Sequence, residues 1–217
     1  MALKRTVLAM IVVLVATGFT AGFSALTSAG ESGWWWWYDH DFEENPMPSK
    51  PKTVEPEGDL TITVEGLVTF GPCEGVRLDG ELFNDPMGNG EGEVLEAKNN
   101  GQECETSLPD CEVVESRPTN LPWSIKLESA TEVTINGVAI ETHLSEECNK
   151  KYKLPLTSVA TGNIKARFQG YDPEKEGYEF ATFVFEESGE LTTMGMSATL
   201  DGFFLFGTNL TSEFIPI

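Results

Sequence analysis

The sequence predicts an all-β fold: an antiparallel β-sandwich of about nine to eleven strands over residues 59–217, with a closed up-and-down β-barrel as the alternative. Three observations predict it. Apolar residues recur with a period of two from Asp59 onward. Gly and Pro punctuate the chain at the short intervals expected of turns. No stretch of twelve residues beyond position 30 carries an apolar 3.6-residue repeat with caps.

The elements follow in order. Leu60, Ile62, Val64, Val68 and Phe70 all fall on even positions, with Gly66 between them. Val76, Leu78 and Leu82 read as a second strand after a turn at Gly71-Pro72. Trp123, Ile125 and Leu127 alternate. The segment 131–142 holds Asn136-Gly137, the dipeptide of a type I′ hairpin, and would set Ile135 against Val138 and Val133 against Ile140. Further strands are expected at 91–98, 111–116, 157–169, 178–186, 191–200 and 202–206. Phe180, Phe183, Phe185, Met194, Met196, Phe203, Phe204 and Phe206 crowd the last third. Such aromatic stripes form core; the functional alternative is the lining of an apolar ligand cavity in a barrel.

The segment before this domain reads as an export apparatus and a spacer. Lys4 and Arg5 precede an uncharged run of 25 residues, Thr6 to Gly30, whose densest apolar part is Val7 to Val15. With small residues at Thr27, Ser28 and Ala29 this is a signal peptide over 1–29. An uncleaved signal-anchor helix is the alternative, because the run is long enough to span a bilayer and Trp34, Trp35, Trp36, Trp37 and Tyr38 follow it. Those five rings are candidate membrane-interface residues. Both readings place the rest of the chain outside the cytoplasmic membrane, secreted or at the cell surface. Residues 30–58 then form a Trp tract and an extended acidic spacer with Pro46, Pro48, Pro51 and Pro56.

Composition excludes several function classes. The chain has 35 Asp and Glu against 14 Lys and Arg, a formal net charge of −21. Removing 29 residues that carry two cations takes 217 residues to 188 and the charge to −23. Such a chain repels phosphate, so nucleic acid is not expected as a partner. The acids are spread along the chain and read as solubility for an aromatic-rich domain. At 40% hydrophobic residues a sizeable core can form.

Four cysteines, Cys73, Cys104, Cys111 and Cys148, are an even count in an exported chain and read as two disulfides. Three pairings exist. The short spacing favours Cys104–Cys111, which leaves Cys73–Cys148. Zinc is disfavoured, since no CxxC pair occurs and His143 is the only nearby histidine.

No nucleophile elbow, phosphate loop, dinucleotide fingerprint, HExxH or CxxCH motif is present. His143 alone cannot define a nucleophile–base pair, and no catalytic residue is assigned. A pair of carboxylates suffices for glycoside hydrolysis, but 35 acids make any chosen pair uninformative. The segment 84–96 partly imitates a calcium loop. From Asp85 it places Asn89 at position 5, Gly90 at 6, Glu91 at 7, Glu93 at 9 and Glu96 at 12, but Met87 stands at 3. Its plainer reading is a Gly-rich hairpin loop. Calcium at Asp85, Asn89, Glu91 and Glu93 is the one cofactor expectation. Asp39-His40-Asp41 is a weaker cluster, and Asn209-Leu-Thr211 is a glycosylation sequon.

Phe70-Gly-Pro-Cys-Glu-Gly75, Cys104, Leu108-Pro-Asp-Cys111 and Asn120-Leu-Pro-Trp123 together resemble a Cys framework and Leu-Pro-Trp element of exported β-rich actinobacterial proteins of unknown function. The resemblance spans roughly 59–200 and implies a secreted or cell-surface location but no activity. Three function classes are therefore carried forward. The first is a non-enzymatic exported β-domain for binding, adhesion or envelope structure, with membrane or cell-wall association through the N-terminal segment. The second is a carrier of a small apolar ligand. The third is a carbohydrate-active enzyme.

Overall fold

The computed structural model describes residues 32–39, 51–99, 104–172, 174 and 180–216. The signal or anchor helix, His40, Asp41 and most of the Pro-rich spacer lie outside the described residues. Among the described residues twelve strands form, with one short helix. They are β1 (Gly33–Asp39), β2 (Lys52–Val54), β3 (Glu57–Val64), β4 (Val68–Asn84), β5 (Gly90–Asn99) and β6 (Val113–Pro118), then β7 (Trp123–Leu127), β8 (Glu132–Leu144), the helix α1 (Glu146–Tyr152), β9 (Thr157–Gln169), β10 (Thr182–Thr193), β11 (Met196–Leu205) and β12 (Leu210–Pro216).

The all-β expectation holds, and every ladder is antiparallel. The large sheet runs β2-β4-β3-β11-β10-β9-β8-β7-β5, and β5 also pairs with β4. Eight strands thus form a circuit that returns to its start. It is not a regular barrel: β2 branches off β4, β6 branches off β8, and register shifts interrupt several ladders. Closing the circuit removes most unpaired edges, the liability of open sheets. Inward positions of each strand then share one interior. Leu82, Leu127, Val133, Ile135, Phe168, Phe183, Phe185 and Leu200 are all buried there.

Two turn expectations are corrected. The first reversal falls at Glu65-Gly66-Leu67, not at Gly71-Pro72, and β4 runs straight through the cis Gly71-Pro72 bond. Asn136-Gly137 is not a hairpin. It lies inside the single strand β8, where Gly137 (φ 75°) forms a bulge between Ile135 and Val138 against β9. The bulge keeps Ile135 and Val138 on the buried face, the demand that the hairpin reading was meant to meet. The two-residue reversal with both φ positive is instead Met194-Gly195, joining β10 to β11. It falls in the middle of the strand expected at 191–200.

The Trp tract is a strand, and it belongs to the same compact unit, Ser32–Ile217, as the strands expected from residue 59 onward. β1 pairs with β12 along its whole length, Gly33 opposite Pro216 to Asp39 opposite Leu210. Trp35 leans on Phe214 at 5.4 Å. Trp37 is fully buried and meets Phe168 edge-on at 5.2 Å. Tyr38 is also buried, so neither it nor Trp37 can face a membrane. Burying an amphipathic indole needs a partner for its N–H, and Trp37 Nε1 donates to the Glu91 carbonyl at 3.1 Å. At the end of β1 the buried Asp39 forms an ion pair with Lys52 of β2.

The disulfides are Cys73–Cys104 and Cys111–Cys148, not the pairing that spacing favoured. Backbone pairing explains the first. Gly71 N–H donates to Glu105 O at 2.8 Å and Ser107 N–H to Thr69 O at 3.0 Å, which lays 104–107 along the start of β4. Helix α1 explains the second. Ser145 N–H donates to Glu112 O at 3.0 Å and Tyr152 Oη to Pro109 O at 2.9 Å, so Cys148 faces Cys111. Glu146 and Glu147 in the first turn and Lys150 and Lys151 in the last suit the helix dipole. Each bridge closes a loop of more than thirty residues (separations 31 and 37), worth roughly 4 kcal/mol in the chain-entropy account.

Two outcomes test this arrangement. Trp37→Ala should lower unfolding free energy in urea by about 3–5 kcal/mol, with a clearly smaller loss for the half-buried Trp34→Ala. Equal losses would contradict the interior placement of Trp37. Peptide mapping without reduction should recover 73–104 and 111–148 linked peptides, and a 104–111 peptide would refute the fold around α1.

Candidate functional site

The inward faces of the circuit strands do not fill their interior completely. A cavity of about 70 Å³ lies among Leu78, Val138, Ile140, Leu200 and Phe204, and opens beside Lys98 and Arg117. Every strand of the circuit contributes a lining residue, and β6 adds Ser116, Arg117 and Pro118. The Cys73–Cys104 disulfide is part of the wall. Leu60, Ile62, Val76, Ala97 and Ile140 face inward yet are only partly buried, because they border this space. Small side chains sustain it: Ala97 and Ser116 stand where larger ones would close it.

Trp123, the Trp of the Leu-Pro-Trp element, forms part of the wall. Its Nε1 donates to Thr119 O at 2.9 Å, leaving the ring to line the space. Leu121-Pro122 just before it is a cis bond and Asn120 has a positive φ of 57°, which shape the entry into β7.

A polar network holds the mouth. Arg117 donates through Nε and Nη2 to Glu141 Oε1, the first at 2.9 Å. The same carboxylate oxygen meets His143 Nε2 at 2.8 Å, and His143 Nδ1 meets Thr157 Oγ1 at 3.2 Å. Lys98 Nζ donates to Asp79 Oδ2 at 3.1 Å, and Asp79 Oδ1 also accepts from Arg77 Nε at 2.7 Å. The hydrogen bond from His143, reinforced by that from Arg117, holds the Glu141 carboxyl below the usual carboxylate range. Hydrogen bonds from Arg77 and then Lys98 do the same for Asp79.

Thr157, His143 and Glu141 thus form an alcohol–imidazole–carboxylate chain. It has the connectivity of a hydrolase relay, but none of the three borders the cavity, and Glu141 is shared with Arg117. The chain reads as a cross-strand network between β8 and β9, whose residues His143 and Thr157 are paired directly.

The expected calcium residues have other partners. Asn89 Oδ1 accepts from Trp35 N–H at 2.9 Å. Asp85 Oδ1 accepts from Met87 N–H at 2.9 Å, closing its own turn. Glu91 and Glu93 lie in β5, paired on one side with Phe83 and Glu81 of β4 and on the other with Lys126 and Ser124 of β7. Among the described residues no three His, Cys, Asp or Glu side chains gather as a metal site. The Gly-rich loop instead cradles the Trp strand. Asn84 exchanges two bonds with Trp37, accepting its N–H at 2.7 Å and donating to its O at 3.0 Å. Trp36 Nε1 donates to Gly88 O at 3.0 Å. A Cβ at Gly90 would lie 2.7 Å from the Trp37 ring, so only glycine fits. Loop and Trp tract, read separately in sequence, are one structural unit.

Sequence reading offers a cavity only as the alternative use of the aromatics in the last third; of those, Phe185 and Phe204 line the space found, and the rest of its wall was missed. Its lining residues alternate like any core, and the signals that mark the space are the small Ala97 and Ser116 and the cations Lys98 and Arg117 close to them. Among the described residues no helix is long and apolar enough to cross a membrane. In comparisons with known proteins, no family model, no curated protein and no solved structure matches the chain.

Asp79 and Glu141 contribute to the acid response, together with Glu146, whose carboxyl is lowered by its hydrogen bond from Lys150. Asp79 and Glu141 release their protons more readily folded than unfolded, so their contribution is complete above the ordinary carboxylate range and is lost as pH falls through their lowered values. Melting temperature should therefore drop over that window. Asp79→Asn and Glu141→Gln should each flatten the drop, and an unchanged slope in both variants would show that these networks do not set it.

Proposed function

We propose that this chain is an exported, non-enzymatic binding module that takes a small apolar group into the cavity inside its strand circuit. The observation that carries the reading is the cavity itself: an apolar space walled by every strand of the circuit and open beside exposed polar residues. Cores are ordinarily packed without such voids, and apolar concavities with a few polar groups at the rim are the usual form of small-ligand sites. Export is supported by the charged start and apolar run at the N-terminus, by two disulfides that suit an oxidising compartment, and by the resemblance to exported actinobacterial proteins.

The size limits the ligand. An engineered cavity of roughly 150 Å³ accepts benzene. This one, at about 70 Å³, takes the end of a short alkyl chain or a branched methyl group rather than a whole lipid. Affinity then comes from transfer of a few carbons, about 0.8 kcal/mol or fourfold for each methylene buried.

Titration with straight-chain alcohols from propanol to hexanol, followed by amide chemical shifts, tests the reading. Saturable shifts should centre on Val76, Ala97 and Ile140, with affinity rising about fourfold per carbon until the space is full. Ala97→Leu should abolish them while leaving the rest of the spectrum intact. Linear, unsaturated shifts scattered over the surface would sink the proposal.

A further inference from the structure

The charges at the cavity run against the composition of the chain. Acids outnumber cations 35 to 14, yet among the described residues the two charged ones that line the cavity are Lys98 and Arg117, and no acid does. Their acidic partners, Asp79, Glu96 and Glu141, lie outside the lining and pair with the cations there. Arg117 commits Nε and Nη2 to Glu141, and among the described residues its Nη1 has no partner. Lys98 gives two bonds, to Asp79 and Glu96, from an ammonium with three protons. Both side chains are about half exposed, at 53% and 50%. A negative head group placed between them would gain charge-assisted hydrogen bonds without losing its contact with water, which avoids the cost of burying a charge.

Resting on the binding-module reading above, we propose that the ligand is a small amphiphile with a carboxylate head: a short or branched alkanoic acid, its tail among Leu78, Val138 and Ile140 and its carboxylate on Arg117 and Lys98. The guanidinium suits this task, since a planar fork already held on one edge presents the remaining N–H in a fixed direction. Glu141 orients that fork and competes with the ligand for it.

The test compares three probes with the same six-carbon tail on the intact chain by the same chemical-shift titration: heptanoate, hexanol and hexylammonium. Heptanoate should bind about three- to tenfold more tightly than hexanol, and hexylammonium more weakly than either. Arg117→Gln should remove the advantage of the acid and leave hexanol binding unchanged. Glu141→Gln, which frees the fork, should increase the advantage. Lys165→Gln, a cation outside the cavity, controls for net charge and should change neither ratio. Equal affinity for acid and alcohol would overturn the carboxylate assignment and leave the cavity reading standing. Saturable binding of none of the three would overturn the cavity reading itself. Loss of both probes in Arg117→Gln would place Arg117 in the support of the wall and overturn its role as head-group partner, in which case Lys98→Gln reads the remaining cation separately: an unchanged ratio there overturns the assignment altogether.

Discussion

Trp37 sits where the interior of the strand circuit would otherwise meet water, and much of the domain is organised around keeping it there. A closed ladder solves the problem of unpaired edges but leaves open ends, and an apolar interior needs them covered. The indole meets Phe168 edge-on, and Phe183 in turn packs on Phe206 at 4.6 Å, so one layer of rings spans the space. Such pairs add about 0.5–1.5 kcal/mol each beyond the area they bury. The backbone of Trp37 is satisfied by Asn84, a side chain that imitates the two bonds of a neighbouring strand. That substitution lets β1 cross the end of the circuit without joining its ladder, while β12 supplies its regular partner. Gly90, Asn89 and Gly88 follow from the same constraint: one yields room to the ring, the others give polar atoms to Trp35 and Trp36.

With that layer in place, space further along the interior can be left incompletely filled. The neighbouring layer mixes Leu78, Ile135 and Leu200 with the smaller Ala97 and Ser116, and the mismatch is the cavity. A void of this kind costs dispersion contacts, and it can be held open only by walls that do not collapse. The Cys73–Cys104 bridge and the β6 branch stiffen the side on which it opens. Aromatic packing and the cavity are thus complementary parts of one interior rather than rival readings of the same aromatic residues. Phe185 and Phe204 border the space, whereas Phe168, Phe183 and Phe206 seal the layer beside it.

Period-two alternation made the strand content legible. The strands at 123–127 and 157–169 form with the bounds that alternation sets. What alternation cannot carry is the identity of each partner. Asn136-Gly137 satisfies the local rule for a tight hairpin, yet the same positive φ at Gly137 serves a bulge once β9 lies alongside. Met194-Gly195, with a less typical first residue, makes the tight turn because Thr193 and Met196 are already opposed by their strands. The disulfides fail in sequence for the same reason: 104–111 is short along the chain, but residues 69–73 and helix α1 are the neighbours in space. Four consecutive Trp read as a membrane-interface tract because a run of one residue hides the alternation that puts Trp35 and Trp37 inward. The candidate site was least legible, since a residue beside a void and a residue in a packed core look alike in a one-dimensional pattern.

The net charge of −21 bears on the site less than its size suggests. At physiological ionic strength exposed charges are screened beyond about 8 Å. An anion at the mouth therefore responds to Arg117, Lys98 and their immediate carboxylates, not to acids on the far strands. The global excess lowers the rate of encounter for an anionic ligand, whereas the local donors decide how long it stays. The same screening explains how an acidic chain can keep solubility over most of its surface and still present cationic donors, each paired with carboxylates, at one opening. Had the lining carried acids in the proportion of the whole chain, a tail-and-carboxylate ligand would face repulsion at the one place where it must shed water. With those acids outside the lining, they act as supports: they hold the charged ends of Lys98 and Arg117 while the aliphatic stems border the cavity.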